Sequence, residues 1–139
     1  MTDISILSTG VREVFADKND TFDMIATEAI TKGQLVYQTS AGKAGVADAN
    51  ASGKQQARGI ALKSVAAGEP VPVLRRGYIA GFDISSLNYD VAVYLSDTAG
   101  ALADAAGTMT VNCGRVVSMT DPDLSKILFV DFDWLRAWS

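Results

Sequence analysis

The chain contains no histidine, and this absence limits the chemistry it can perform. Histidine is the commonest general base near neutral pH and the commonest metal ligand. A Ser-His-Asp triad or a Cys-His pair is therefore impossible. The single cysteine, Cys113, excludes an internal disulfide framework. No base adjoins it to form a thiolate, although Arg115 follows two residues later, so we interpret Cys113 as a small buried hydrophobic residue.

Clustered basic residues and long apolar runs are also lacking. Twelve Lys and Arg stand against 16 Asp and Glu, and no basic run is longer than Arg75-Arg76. This balance is not that of a nucleic-acid-binding protein, and it disfavours an anionic membrane surface. No stretch approaches the roughly 18 apolar residues of a membrane span. Residues 1–5 lack the basic region and apolar core of a signal peptide, so we expect synthesis in a cytoplasm.

Proline is scarce, with 3 residues, whereas glycine is frequent, with 12 among 139. The length suits one domain with its own core. Short apolar segments separated by Gly, Ser, Asp and Asn turns predict an all-β fold, a single β-sandwich or jelly-roll-like barrel with almost no helix. The predicted strands are 23–29, 34–38, 57–63, 70–74, 77–82, 89–95, 108–119 (with a bulge at Gly114) and 125–132.

The pattern divides the chain into three parts. Residues 1–22 lack alternation and are predicted to form an extended N-terminal arm. Residues 23–133 are predicted to form the β-sandwich domain, and residues 134–139 a C-terminal aromatic tail. Within the domain, the two prolines of Pro70–Leu74 predict an edge strand or a strand start.

An internal repeat links two segments of the predicted domain. In each copy a Val-Tyr strand, ending at Tyr37 or Tyr94, enters an Ala-Gly turn, and an Ala-Asp-Ala segment follows. A third strand then begins near Arg58 or Arg115, 21 residues after the tyrosine in both copies. The repeat indicates two related β units that pack as halves of one sandwich, with chance similarity in an Ala- and Gly-rich chain as the other explanation.

Four carboxylates are the best remaining candidates for catalysis or metal binding: Asp121, Asp123, Asp131 and Asp133. Asp131 and Asp133 lie two apart and face the same side of a strand, as on any half-exposed strand. The Asp121-Pro122-Asp123 segment is typical of a turn. Neither EF-hand spacing nor a Gly-rich phosphate loop is present. We therefore expect no catalytic site, no metal and no cofactor.

Large apolar side chains in the predicted arm and tail need a partner to bury them. Tryptophan is over-represented among interface hot spots, and the only two tryptophans lie in the last six residues. They alternatively cover the open end of the domain's own core. We expect partner contacts from Ile4, Ile6, Val11, Val14, Phe15, Trp134 and Trp138.

Several strand and turn phrases resemble those of the small capsid cement (decoration) proteins of tailed bacteriophages. They are Ile30–Val36 (ITKGQLV), Ala57–Ala61 (ARGIA), Val65–Glu69 (VAAGE), Arg76–Phe82 (RGYIAGF) and Val93–Gly100 (VYLSDTAG). The resemblance covers about two thirds of the chain and leaves the first 22 and last 20 residues unmatched. It implies a β-sandwich or jelly-roll-like protein on the outer surface of the virion. Such a protein binds the major capsid protein of the expanded shell and clamps neighbouring capsomers.

Bridging of this kind favours a symmetric oligomer, and we expect a homodimer, with a trimer next, paired along the edge Pro70–Leu74. The alternative function is a phage or bacterial β-domain that recognises a ligand, such as a head-fibre-like or carbohydrate-binding module. Its aromatic platform would come from Tyr37, Tyr78, Tyr89 and Tyr94. An enzyme is the third option, with only the acidic group in its favour.

Overall fold

The computed structural model describes residues 2–8, 10–120, 122 and 124–138. It is almost entirely β, with 43% strand and 2% helix, which confirms the all-β prediction. No helix in these ranges is long and apolar enough to cross a membrane. The strands are β1 Asp3–Ile4, β2 Arg12–Val14, β3 Asp20–Ile25, β4 Leu35–Gln38, β5 Ala44–Val46, β6 Ala57–Ala61, β7 Pro70–Ala80, β8 Ala92–Leu95, β9 Leu102–Ala103, β10 Asn112–Ser118 and β11 Lys126–Asp131.

All eleven strands belong to one curled antiparallel sheet, which forms a half-barrel. Strand β7 is its centre. Arg76 pairs with β3 on one side and β11 on the other, while Leu74 pairs with β3 and β6. Beyond β7 the sheet therefore divides into two branches, β6–β4–β5 and β11–β10–β8–β9–β1.

The predicted strand Pro70–Leu74 is the N-terminal half of this central strand: Pro70 stands at the strand start, as one alternative predicted, whereas Val73 and Leu74 have a paired strand on both sides and are not an edge. Pro72 is tolerated in this strand because its nitrogen, which has no hydrogen to donate, faces the side on which pairing ends. The carbonyl of Pro72 accepts a hydrogen bond from the Leu62 N–H at 2.8 Å, so the proline nitrogen faces the same side. Strand β6 ends at Ala61, so the hydrogen bond that Pro72 cannot donate would fall beyond the end of the β6–β7 ladder. Strand β6 thus covers Val73 and Leu74 on the side away from β3, while residues 70–72 of the predicted dimer edge have no paired strand there among the described residues.

The two branches enclose the main core, which gives the sheet its sandwich-like character. Leu35 and Ile60 from one branch and Leu95 and Leu128 from the other are fully buried in the same cluster. A second, smaller core lies among β3, β4, β6 and β7. It is closed where the Thr27 N–H donates to the Ala44 carbonyl at 2.8 Å.

The internal repeat corresponds to two units with the same connectivity. Strand β4 lies between β5 and β6, as β8 lies between β9 and β10. Val36 pairs with Gly59 and Val93 pairs with Gly114, and both pairings shift register beside the glycine. The bulge predicted near Gly114 is thus confirmed. The structurally equivalent residues are the two glycines, not the arginines Arg58 and Arg115 that suggested the repeat.

The described residues of the segment 1–22 differ from the prediction, because they do not form an extended arm. Strands β1 and β2 and the start of β3 lie within them and pair with β9 and β7. The Leu7 N–H also donates to the Gly81 carbonyl at 2.7 Å. Strands of two or three residues are too short to show the alternation by which strands are recognised, and this explains the error.

Strand β1 is anchored by Asp3, whose carboxylate accepts a hydrogen bond from the fully buried hydroxyl of Ser96. Hydrogen bonds from Ser96 and then Thr98 lower the pKa of Asp3 below its ordinary value of 3.8. A lowered folded-state pKa stabilises the fold above 3.8, and this contribution is lost as the pH falls through the folded-state pKa.

We therefore expect Asp3→Asn to lower stability at neutral pH and to weaken the loss of stability in acid below pH 3.8. Urea unfolding of both proteins across this range measures the difference. Asp17→Asn, in the exposed 3₁₀ turn Ala16–Lys18, is the matched control. An unchanged acid profile in Asp3→Asn would show that the carboxylate does not anchor β1.

Candidate interaction surface

A row of three aromatic rings crosses the outer face of the sheet at its centre. Residues paired across antiparallel strands project to the same face, and Tyr78 on β7 pairs with Val14 on β2 and Phe129 on β11. The Tyr78 ring meets Phe15 edge-on, with centroids 5.5 Å apart, and Phe129 at 5.3 Å. The Phe15 side chain remains 41% exposed. We call Phe15, Tyr78 and Phe129, together with the adjoining Val14, the aromatic row.

Phe15 is held in a backbone conformation that a bulky residue rarely adopts. Its φ of 56° and ψ of 54° lie in the left-handed region, which costs about 1–3 kcal/mol. The 3₁₀ turn that follows holds it there, with the Lys18 N–H donating to the Phe15 carbonyl at 2.8 Å. Strain of this kind concentrates at binding sites, and here it keeps a large ring at the surface.

The side chain of Asn19 joins this turn to the central strand. Its Oδ1 accepts the Tyr78 N–H at 2.9 Å, and its Nδ2 donates to the carbonyls of Val14 and Tyr78, both at 3.2 Å. Gly77 makes room for it, since a Cβ there would lie 2.1 Å from Asn19 Oδ1. The aromatic row is therefore positioned by a hydrogen-bonded side chain.

Basic side chains border the aromatic row. The Lys18 ammonium lies 5.5 Å from the Phe15 ring centroid, and the Arg76 guanidinium lies 5.8 Å from that of Phe129. Arg76 also pairs with Asp131 at 3.7 Å. An apolar strip with cations at its margins is suited to a protein surface that carries acidic residues around an apolar centre.

The seven predicted partner-binding residues divide into two groups. Ile4, Val11 and Trp138 lie in the main core, with 7%, 1% and 9% of their surface exposed, and are not available to a partner. Ile6 is 45% exposed, opposite Phe82, and Val14 and Phe15 belong to the aromatic row. Trp134 is half-buried. The prediction of partner contact stays open for these four residues.

The C-terminal segment is fastened to the domain instead of forming a free tail. The Gln56 side chain donates to the Trp138 carbonyl and accepts from the Trp138 N–H, both at 2.8 Å. The Gln55 side chain also donates to the Trp138 carbonyl. The Trp134 indole N–H donates to the Arg58 carbonyl at 2.9 Å, and its ring meets Phe22 edge-on. Trp138 therefore covers the open end of the main core, the alternative role that the sequence left open.

A groove of about 580 Å³ lies between this C-terminal segment and strands β10 and β11. Phe129, Trp134, Asp131 and Arg115 line it. The buried Oδ1 of Asn112, on the same wall, has no hydrogen-bond partner among the described residues. Polar and aromatic groups therefore meet in one concave place.

Two of the four predicted carboxylates, Asp131 and Asp133, lie within the described residues. Asp131 pairs with Arg76, and the Oδ1 of Asp133 accepts the Leu135 N–H at 3.0 Å. Asp121 and Asp123 lie outside the described residues. Within the described part of the chain no three His, Cys, Asp or Glu residues are grouped to hold a metal ion.

Cys113 and the four tyrosines, the other residues considered in the sequence, all lie within the described residues. Cys113 is fully buried, and desolvation raises the pKa of its thiol. Of the four tyrosines, Tyr89 is exposed and the others are half-buried, and no two of their rings are in contact. The structure thus does not join them into the platform expected for a sugar site.

Sequence reasoning missed Phe129 as a surface residue, although a signal was present. Phe129 shares a strand face with Asp131, two residues on, which points it outward. The half-exposed face was assigned from Asp131 and Asp133 and was not followed back along the strand to Phe129.

No family model, curated protein or solved structure matches the chain.

Proposed function

We propose that the protein is a structural, non-enzymatic capsid cement protein that binds the outer surface of an expanded phage head. The proposed partner is the major capsid protein, and the proposed place of action is the virion. The resemblance in the strand and turn phrases supports the family. The aromatic row, in which Phe15 is exposed and held in a left-handed backbone conformation, supports a surface that binds another protein.

The aromatic row carries the proposal because it brings two of the predicted contact residues, Val14 and Phe15, together with Tyr78 and Phe129 on one face of the sheet. Each large apolar side chain buried at an interface contributes on the order of 1.5–3 kcal/mol. A surface ion pair contributes about 0–1 kcal/mol. Binding through Phe15, Tyr78 and Phe129 is therefore expected to persist at high salt, with Lys18 and Arg76 affecting mainly the rate of association.

The first experiment is co-sedimentation with empty shells assembled from the major capsid protein encoded beside this chain. We expect saturable binding to expanded shells and little to unexpanded ones, because a cement protein acts after expansion. Failure to bind expanded shells, or the absence of a capsid gene beside this one, would contradict the proposal.

The most selective variant is Phe15→Gly. It removes the exposed ring and also the left-handed strain, so we expect the free energy of unfolding to change by no more than about 1 kcal/mol. Shell affinity is expected to fall about tenfold or more at both low and high salt. Co-sedimentation and urea unfolding measure the two quantities on the same samples.

Ile25→Gly is the matched control, since Ile25 is similarly exposed, at 42%, but lies on β3 away from the row. Equal shell binding by wild type and Phe15→Gly would show that the row is not the attachment surface. Deletion of residues 1–22 is not a suitable test, because it removes two strands and core residues.

Recognition of a carbohydrate is the second candidate function, and the groove beside Trp134 favours it. An aromatic ring, carboxylates and the unpaired Asn112 acceptor are the groups that sugar hydroxyls and ring faces require. Titration of tryptophan emission with soluble host-surface oligosaccharide tests this function. A saturable change that is lost in Trp134→Phe would favour it over shell binding.

A further inference from the structure

A depression lies beside the start of β11, on a part of the surface that the proposed function does not use. It encloses about 400 Å³, and its apolar lining residues are Leu7, Phe82, Ile84, Tyr89 and Leu124. The lining is completed by the polar residues Asp83, Ser85, Ser125 and Lys126. Three of these side chains are large and exposed: Leu7 at 43%, Tyr89 at 46% and Leu124 at 53%. Such a group of exposed apolar residues marks an interaction site. We call it the socket.

The socket is held open by local structure. The backbone of Leu124 has a φ of 49°, a left-handed conformation that is strained for a leucine. The Tyr89 hydroxyl donates to the Leu124 carbonyl, and the Lys126 ammonium lies 5.4 Å from the Tyr89 ring centroid. These contacts fix the rim, so an incoming side chain does not have to order it.

One side chain elsewhere protrudes in a complementary way. Leu135 is 99% exposed, the most exposed large apolar side chain among the described residues. Its turn is nevertheless rigid. The Leu135 N–H donates to Asp133 Oδ1 at 3.0 Å, and the Arg58 guanidinium donates to the carbonyls of Asp133 at 2.8 Å and Arg136 at 3.1 Å. Leucine is thus presented on a fixed loop.

The socket and Leu135 lie at opposite ends of β11. The six residues of this strand span about 20 Å, from Lys126 beside the socket to Asp131 before the Leu135 turn. Leu135 therefore cannot fill the socket of its own chain. A second copy can supply a leucine to the socket. Asp133 and Arg136 flank Leu135, and Lys126 and Asp83 lie at the socket. Each of the two features therefore carries one acidic and one basic residue that can pair with an opposite charge on the other.

We infer that copies of this protein associate head to tail, with Leu135 of one copy inserted in the socket of the next. Such heterologous contacts close into a ring when the rotation between copies allows it. The association uses a different surface from the predicted pairing along Pro70–Leu74. It does not depend on the proposed function, since it forms in the absence of any shell.

Sedimentation velocity over a range of concentrations tests the inference on the full-length chain. We expect wild-type protein to gain mass with concentration, and Leu135→Asp to raise the dissociation constant about tenfold or more. Ile25→Asp, a similarly exposed apolar residue outside both features, is expected to behave as wild type. A wild-type monomer at all concentrations, or equal association by Leu135→Asp, would overturn the inference.

Cross-linking provides a second, positive readout. Leu135→Cys and Leu124→Cys proteins are mixed and treated with a short bismaleimide, with the buried native Cys113 unreactive. We expect a cross-linked pair that contains one chain of each kind. Ile25→Cys mixed with Leu124→Cys is the control, and equal yields in the two mixtures would contradict the proposed contact.

Discussion

Replacing Trp138 with alanine is expected to lower the free energy of unfolding by about 3–5 kcal/mol, the usual cost of removing a large aromatic residue from a core. The indole is 9% exposed and belongs to the main hydrophobic cluster. Its backbone bonds with Gln56 do not involve the indole, so the substitution isolates the effect of the ring. Chemical denaturation of the full-length chain measures the loss.

Leu135→Ala, three residues earlier, is the control for this prediction. Leu135 is 99% exposed, and its truncation is expected to change stability by no more than about 0.5 kcal/mol. The measurement is made at a concentration where the protein is monomeric. A Trp138→Ala protein as stable as Leu135→Ala would show that the C-terminal segment does not close the core.

The second large effect is expected at the two glycines of the repeat. A Cβ at Gly114 would lie 2.2 Å from the Phe129 carbonyl oxygen, and one at Gly59 would lie 2.2 Å from Val73 Cγ1 and 2.8 Å from the Leu74 carbonyl oxygen. Backbone atoms of β7 and β11 cannot move away without breaking the ladder. Gly114→Ala and Gly59→Ala are each expected to cost about 3 kcal/mol, the upper part of the range for overpacking.

Gly42→Ala separates this steric effect from backbone conformation. Gly42 has a φ of +81° but open space around its missing Cβ, so alanine there meets only conformational strain of about 1 kcal/mol. Thermal unfolding of the three variants gives the order of their stabilities. A Gly114→Ala protein no less stable than Gly42→Ala would mean that β10 and β11 are not held as closely as described.

The all-β class was predictable because strand signals depend on local alternation and turn residues. The segment around Ile127–Val130 illustrates this, as its predicted strand 125–132 contains the observed β11. Strand β7 shows the limit of local reasoning. Its prolines and the Arg75-Arg76-Gly77 sequence indicated two separate elements, whereas four neighbouring strands hold it as one.

The candidate surface could be predicted only in part. Val14 and Phe15 were identified because large apolar groups stood in a segment without strand alternation. Their partners Tyr78 and Phe129 come from strands 64 and 115 residues beyond Val14 in the sequence, and only the sheet register brings them together. Long-range packing likewise places Ile4, which pairs with Leu102, and Val11 inside the core, which a pattern within 22 residues does not reveal.

Electron cryomicroscopy of expanded shells mixed with the protein tests the central claim most directly. The account predicts density for the domain on the outer surface of the shell, with Phe15, Tyr78 and Phe129 against the major capsid protein and the Phe15→Gly protein giving weak occupancy. Shells without added density, or a domain whose aromatic row faces away from the shell, would contradict it.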